Sequence, residues 1–184
     1  PDRVGTCPTT GDARMKLLAA VVAVFTLATA GTAVVGASAV SSPAISTLAP
    51  GDAADVDAML PSGFGNPRSA ELAVRWALSQ VGAVRDSGFC LRFVDLAFGR
   101  ASGPPSAHLV WTQSPPELHH TDGTPPRGAV VVWSSAIGGG HGHIAVSLGD
   151  GRMVSTTSSA VAILPIRGFA DDAYLGWMPP YFYM

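Results

Sequence analysis

Two apolar patterns divide the chain beyond residue 65 into a helical half and a strand half. Apolar residues first recur at helical spacing from Asn66-Pro67, where Asn can cap a helix and Pro can take its first position, to Val81. Gly82 ends this predicted helix, and Glu71 and Arg75 have the spacing of an outward ion pair. The predicted inward stripe consists of Leu72, Trp76, Ala77, Gln80 and Val81.

A second helix is predicted from Phe89 to Phe98, closed by Gly99. It places Cys90 in its first turn, with Cys90, Phe93, Val94 and Ala97 on one inward face. A short helix is predicted over Ser106 to Gln113, and it carries His108 and Trp111.

Strand patterns follow, with the alternation and β-branched content typical of a sheet. The predicted strands are Gly128 to Trp133, His143 to Leu148, Arg152 to Thr157 and, with weaker patterns, Ala160 to Pro165 and Tyr174 to Trp177. Gly149-Asp150-Gly151 has the composition of a hairpin turn. Helices followed by an antiparallel sheet predict a small α+β domain, with Cys90 at a helix N-terminus packed on the sheet.

The segment before this domain is typical of an export signal. Met15-Lys16 is followed by an uncharged apolar run, residues 17–35, and by the small-residue sequence Gly36-Ala37-Ser38-Ala39. The alternative is a membrane-spanning helix, but the run is rich in Ala and Thr and no basic cluster follows it. We therefore predict that residues 1–39 are upstream sequence and signal peptide, and that the protein is secreted and meets a membrane only through an uncleaved signal.

Composition predicts the domain limits, and the net charge limits the class of binding partner. Residues 40–65 are rich in Ser, Ala, Pro and Gly and predict a linker, with a short helix near Asp55 to Leu60. Residues 66–184 are then one domain, for which we expect a monomer. The formal net charge of −2 gives no concentrated basic face for nucleic acid, which is excluded as a partner.

The placement of the cysteines singles out Cys90. The chain has 2 cysteines, and Cys7 lies ahead of the predicted signal, so a mature chain would keep only Cys90 in an oxidising compartment. A helix N-terminus stabilises a thiolate through its N–H groups and dipole, which favours Cys90 as a nucleophile. The alternative is a buried cysteine that acts as a small hydrophobic residue.

His143 is the predicted base, because it begins an alternating strand and shares its face with the small residues Ala145 and Ser147. If Gly149-Asp150-Gly151 forms a three-residue loop, the register places Ser155 and Thr157 on the face of His143. A two-residue turn would instead place Thr156 and Ser158 there. A hydroxyl on this face can accept a hydrogen bond from the imidazole and orient it.

These motifs together resemble a known family. The helix-borne Cys90, the strand Pro126 to Trp133, the hairpin Gly142 to Gly151 and the terminal Tyr174 to Trp177 are similar to NlpC-type and CHAP-type cell-wall hydrolases of the papain-like thiol hydrolase superfamily. The resemblance covers about Asn66 to the C-terminus. It implies a cysteine hydrolase that cleaves amide or peptide bonds in peptidoglycan or its stem peptides, without a cofactor. It also implies that Cys90 is the nucleophile, His143 the base and Ser155 the orienting residue.

The sequence departs from the family pattern at two positions. The usual Asp-Cys-Ser-Gly is replaced by Phe89-Cys90-Leu91-Arg92, and the third position, usually His, Asn or Gln, is Ser155. A catalytically degenerate protein that binds the cell wall is therefore the main alternative. Trp111 and His141 are the predicted substrate contacts.

A metal-binding protein is the less favoured alternative. His141 and His143, with His119-His120 and Asp122, contain suitable ligand types. Such a site would leave Cys90 without a role, and our prediction is that no metal is bound.

Overall fold

The computed structural model describes residues 53–84 and 89–183, which belong to one compact unit. The predicted export signal, residues 1–39, and the first half of the predicted linker, residues 40–52, lie outside the described residues. Within the described ranges, no helix is long and apolar enough to cross a membrane.

Helices precede a sheet along the chain, so the predicted α+β class is confirmed. The helices are α1 (Ala53–Ala58), α2 (Ala70–Ser79), α3 (Cys90–Ala97) and α4 (Ala107–Thr112). The strands are β1 (Val130–Trp133), β2 (His143–Ser147), β3 (Arg152–Thr156), β4 (Val161–Pro165) and β5 (Tyr174–Met178). In the described part of the chain, these strands form an antiparallel sheet with the order β4-β3-β2-β1-β5.

The predicted start of α2 is wrong, and its predicted inward face is right only for Ala77, which is buried, and Trp76, which packs on the core. Ser69 caps the helix, with its hydroxyl accepting from the Leu72 N–H, whereas the Asn66 side chain donates to the Pro180 carbonyl at 2.7 Å. Leu72 is 50% exposed and Val81 is 44% exposed, although both were predicted to face inward. The buried residues of α2 are Ala70, Ala73, Val74 and Ala77.

The small side chains of α2 explain its orientation. A Cβ added at Gly128, just before β1, would lie 2.5 Å from the Ala70 Cβ, so the two segments are in direct backbone contact. Only a face of small residues permits this approach, and dense packing there outweighs the burial of Leu72. The outward pair of Glu71 and Arg75 forms as predicted, with 3.0 Å between Oε1 and Nε.

Helix α3 forms with the predicted inward face. Cys90, Phe93, Val94 and Ala97 are all buried, and Asp95 is buried with them. The helix packs on α2, β2 and β3. Helix α4 also forms as predicted, with the Ser106 hydroxyl accepting from the Leu109 N–H at 3.3 Å.

Side chains cover both faces of the sheet. On the face towards α3, one hydrophobic cluster joins Val132, Ile144 and Val154 to the helices. On the opposite face, a second cluster contains Trp133 and Ala145 together with Val56 of α1. Because successive side chains of a strand alternate between faces, His143 belongs to this second face with Ala145.

The β2–β3 hairpin has the register of the three-residue loop. Val146 pairs with Val154 and Ser147 pairs with Met153, and the Leu148 N–H donates to the Arg152 carbonyl at 2.9 Å. Gly151 has φ +82°, which suits the last position of such a loop. The alternative two-residue turn is therefore wrong, and Ser155 lies on the face of His143.

The chain packs closely around Gly176 in the edge strand β5. Its φ is +137°, and a Cβ there would collide with the His120 carbonyl oxygen and contact the Trp111 ring. We expect Gly176→Ala to lower the free energy of unfolding by about 2 kcal/mol or more in urea titrations, because both backbone strain and overpacking oppose it.

Gly151→Ala is the matched control for this prediction. Gly151 also has positive φ, but nothing lies within 4 Å of an added Cβ, so only strain contributes. Equal losses for the two variants would show that the contact with His120 does not matter.

Candidate active site

The register of β2 and β3 brings His143 and Ser155 together. The His143 Nε2 atom lies 2.7 Å from the Ser155 Oγ atom in a buried hydrogen bond. Both side chains point to the same face because Ala145 and Ser155 occupy paired positions in the hairpin, which places His143 diagonally across from Ser155. This is the contact that the three-residue loop predicts.

The hydrogen-bond network favours one tautomer of His143. The Ser155 hydroxyl lies 3.5 Å from the Thr156 carbonyl oxygen, which can only accept. With the hydroxyl proton directed there, the Ser155 oxygen accepts from a protonated His143 Nε2. Assigned in this way, His143 Nδ1 is unprotonated and has the lone pair that a base needs.

Aromatic side chains enclose the His143 imidazole. Its ring centroid lies 4.7 Å from that of Phe169 and 5.5 Å from that of Trp133. His143 is 1% exposed, and burial lowers its pKa to about 3 because the charged imidazolium loses its hydration. Ala145 lies on the face of His143, as predicted, and aromatic side chains from distant segments fill the space beside it.

Cys90 begins α3, as predicted, and is 3% exposed. The residue before it, Phe89, makes no side-chain cap, so the first N–H groups of the helix have no capping side chain. The sulfur is in a disulfide bond in this structure, which includes the upstream sequence that we predict to be removed. The other cysteine of the chain, Cys7, lies outside the described residues.

The structure places Cys90 and His143 in different surroundings. Cys90 belongs to the hydrophobic cluster between the helices and the sheet, whereas His143 and Ser155 point to the opposite face. The Nδ1 atom of His143 is buried and has no hydrogen-bond partner among the described residues. The structure therefore unites two of the three predicted site residues and leaves one imidazole nitrogen available.

Of the two predicted substrate contacts, Trp111 packs against the hydrophobic cluster that contains Cys90. The Trp111 ring is stacked on the His119 ring, with 4.0 Å between centroids and 16° between planes, so His119 covers one face of the indole. The His119 ring is fixed by a 2.8 Å contact of its Nε2 with the Ser114 hydroxyl. His141 is partly exposed, and its carbonyl accepts from the His108 N–H at 2.9 Å.

The alternative metal site does not form among the residues that the structure describes, where no group of three or more His, Cys, Asp or Glu side chains could hold an ion. His119 stacks on Trp111, and His120 stacks on Trp177 at 4.0 Å between centroids. His143 is engaged with Ser155. Three of the four histidines that the metal hypothesis groups together, His119, His120 and His143, therefore have separate partners.

A buried ion pair at the end of α3 was not predicted from the sequence. The Asp95 Oδ1 atom lies 3.7 Å from the Arg100 Nε atom, and both side chains are buried. Burial raises the pKa of Asp95 to about 6, against the opposing effect of Arg100 and Arg92. The sequence signal was present, since Asp95 follows Val94 in the apolar stretch of the helix, but its helical position alone suggested solvent.

Removing the Ser155 hydroxyl is expected to destabilise the fold. Ser155→Ala leaves both nitrogens of a buried imidazole without a protein partner, at a cost of about 1–3 kcal/mol in the free energy of unfolding. Urea titration measures this, and Ser155→Thr, which keeps a hydroxyl, is the control. An unchanged stability of Ser155→Ala would contradict the buried hydrogen bond.

No protein-family model and no curated protein matches this chain. Several solved structures are similar to it, and they are NlpC/P60 domain proteins, the kind that the sequence motifs resemble. The peptidoglycan hydrolase RipB from Mycobacterium tuberculosis is 20% identical with a TM-score of 0.46, over 62% of this chain and 65% of RipB, which is less than two thirds of its length.

Two further structures are similar to the chain. An NlpC/P60 family protein from Bacillus cereus is 18% identical with a TM-score of 0.47, over 60% of this chain and 40% of that protein. RipD from Mycobacterium tuberculosis, described as a non-catalytic NlpC/P60 domain protein adapted to peptidoglycan binding, is 16% identical with a TM-score of 0.39, over 62% of this chain and 95% of RipD.

Proposed function

We propose that this protein is a secreted bacterial cysteine hydrolase that cleaves amide or peptide bonds in peptidoglycan. The observation that carries the proposal is the buried hydrogen bond of 2.7 Å between His143 Nε2 and Ser155 Oγ. A histidine held by a hydroxyl, with its second nitrogen unprotonated, is a base prepared for a nucleophile. Cys90, at the start of α3, supplies the sulfur.

Each residue has a separate role in the reaction. In the mature chain that we predict, which lacks Cys7, the Cys90 sulfur is a thiol. The reaction requires this thiol to reach His143, which points to the other face of the sheet in this structure. His143 Nδ1 then takes the thiol proton, and the thiolate attacks the carbonyl carbon of the scissile amide. The N–H groups at the start of α3 stabilise the resulting oxyanion. His143 then gives its proton to the leaving nitrogen as the C–N bond breaks.

Water completes the cycle. It attacks the thioester, His143 accepts its proton, and the Cys90 sulfur leaves as the acyl group is released as a carboxylic acid. Ser155 touches no reacting atom and keeps the imidazole oriented throughout, so it is a positioning residue. The reaction uses no cofactor, and Trp111 and His141 are the proposed contacts for the rest of the substrate.

The substrate class and the location follow from the motifs. The Gly142 to Gly151 hairpin and the other motifs are similar to those of cell-wall hydrolases, which favours peptidoglycan stem peptides as the substrate. The apolar run before Gly36-Ala37-Ser38-Ala39 favours export to the compartment where peptidoglycan lies.

A second candidate function is supported by the burial of His143. An imidazole that is 1% exposed is not accessible to a substrate, and a pKa of about 3 makes it a weak base at neutral pH. These properties favour a protein of the same fold that binds peptidoglycan without cutting it.

One experiment separates the two functions. Purified peptidoglycan is incubated with reduced protein, and new amino groups are measured together with the fraction of protein bound to the insoluble wall. Release of amino groups supports the hydrolase, and the new termini of the fragments identify the bond that is cut. Binding without release, by reduced protein and on several wall types, would replace the hydrolase with the binding protein.

A further inference from the structure

The His143–Ser155 pair is closed from solvent by two aromatic residues of different kinds. Trp133 contacts the imidazole edge-on, and the Phe169 ring lies over it at a tilt of 34°. The two covering rings also contact each other, with centroids 5.0 Å apart. Ser155 is fully buried beneath this cover.

The proposed function requires that this cover opens. His143 must exchange protons with the leaving nitrogen of the substrate and with water, and neither can reach a side chain that is 1% exposed. One of the covering rings must therefore move, and the structure distinguishes them. This step of the inference rests on the proposed function.

Trp133 is the fixed wall. It lies in β1, between β2 and β5, and is fully buried. Its ring is held by Phe169 on one side and by Tyr174, at 5.3 Å between centroids, on another. Displacing the ring would break both of these contacts.

Phe169 is the movable wall. It lies in the connection between β4 and β5 and is partly exposed. Its own backbone N–H makes a long hydrogen bond of 3.4 Å to the Ile166 carbonyl, whereas Ile166 is anchored to Gly151 at 3.0 Å. Gly168, with φ +80°, precedes it and donates to the Asp171 carboxylate at 2.9 Å. A ring at the edge of an anchored turn can rotate outward without disturbing the sheet.

We propose that the Phe169 side chain is the gate of the His143–Ser155 site, closing over the imidazole in this structure and turning outward to expose it to water and to a ligand. The gate also controls protonation. With Phe169 turned outward, water reaches the imidazole, and the pKa of His143 rises from about 3 towards its ordinary value of 6.5. The titratable and charged groups of the β4–β5 connection and the start of β5 are Arg167, Asp171, Asp172 and Tyr174. The Arg167 guanidinium lies 5.5 Å from the Tyr174 ring centre, and Asp171 accepts from the Gly168 N–H.

The test follows His143 itself, without substrate. In Phe169→Ala, we expect the His143 pKa, measured from its imidazole NMR signals, to rise by at least about one unit because the ring is hydrated. We also expect diethyl pyrocarbonate to modify His143 roughly tenfold faster, as located by fragmentation of the labelled peptide. Leu164→Ala is the control, since Leu164 packs on the same cluster but lies in β4, paired with Met153 of β3.

An unchanged pKa and an unchanged rate of modification in a folded Phe169→Ala would overturn the gate. So would an equal effect in Leu164→Ala, because it would indicate general loosening of the cluster. If Phe169→Ala does not fold, Phe169→Leu, which keeps most of the volume, should give a smaller change in the same direction, and no change would again reject the gate. Failure to cleave peptidoglycan with a working gate would reject only the proposed function.

Discussion

Replacing Cys90 with alanine is expected to abolish the release of amino groups from peptidoglycan, with a fall in rate of about 10⁴-fold or more. The nucleophile forms the covalent intermediate, so its removal disables the base and the orienting residue as well. Cys90 is buried in a cluster that tolerates a small apolar side chain, and alanine retains its helical propensity. The loss should therefore occur in protein that remains folded, which circular dichroism and urea titration can verify.

Cys7→Ala is the matched control, because it changes the chain's other cysteine and leaves the proposed site intact. We expect it to retain the activity of the reduced wild type and to need no reductant, since no second cysteine is then present to pair with Cys90. Full activity in Cys90→Ala would contradict the proposed nucleophile, and loss in Cys7→Ala alone would transfer the role to Cys7.

The second large effect is a pH dependence of stability that is hidden in the wild type. Burial lowers the pKa of His143 from 6.5 to about 3, so the unfolded chain binds more protons there and stability falls as the pH drops from about 6.5 to 3. Burial raises the pKa of Asp95 from 3.8 to about 6, so the folded chain binds more protons there and stability falls as the pH rises from about 4 to 6. Between pH 4 and 6, the two slopes oppose each other.

Single substitutions should separate the two contributions. In Asp95→Asn, the His143 effect acts alone, and the free energy of unfolding should rise by about 1.4 kcal/mol per pH unit between pH 4 and 6 relative to wild type. In His143→Gln, the Asp95 effect acts alone, and the free energy of unfolding should fall by about the same amount per pH unit relative to wild type. Urea titrations at pH 4, 5, 6 and 7 measure both slopes.

The outcome of this experiment bears on the two buried groups separately. A parallel pH profile for Asp95→Asn and wild type would show that Asp95 remains charged beside Arg100 throughout the range. A parallel profile for His143→Gln would show that His143 is hydrated in solution, in conflict with the closed position of Phe169.

The local sequence pattern was sufficient to predict the β2–β3 hairpin and helix α3. The composition of Gly149-Asp150-Gly151 limits the turn to a few conformations, and each conformation fixes which of Ser155 and Thr156 faces His143. Cys90 and the apolar residues after it recur at helical spacing on one face. Both features depend on neighbours within a few residues along the chain.

The orientation of α2 and the cover of His143 depend on contacts between distant segments. Apolar residues occur on both sides of α2, and Gly128, far along the chain, determines that the alanine face is buried. Phe169 lies in a connection without regular periodicity, and only the folded sheet places it over the imidazole. The burial of Asp95 likewise depends on Arg100 and on packing that helical spacing does not specify.

The most direct test of the account is the capture of the acyl-enzyme on Cys90. Reduced protein is mixed with soluble peptidoglycan fragments, quenched in acid at short times, and digested, and the mass of the peptide that contains Cys90 is measured. The account predicts a peptide heavier by the acyl part of the fragment, absent from Cys90→Ala and less abundant in His143→Gln. Accumulation of new amino groups while Cys90 stays unmodified at every quench time would contradict it.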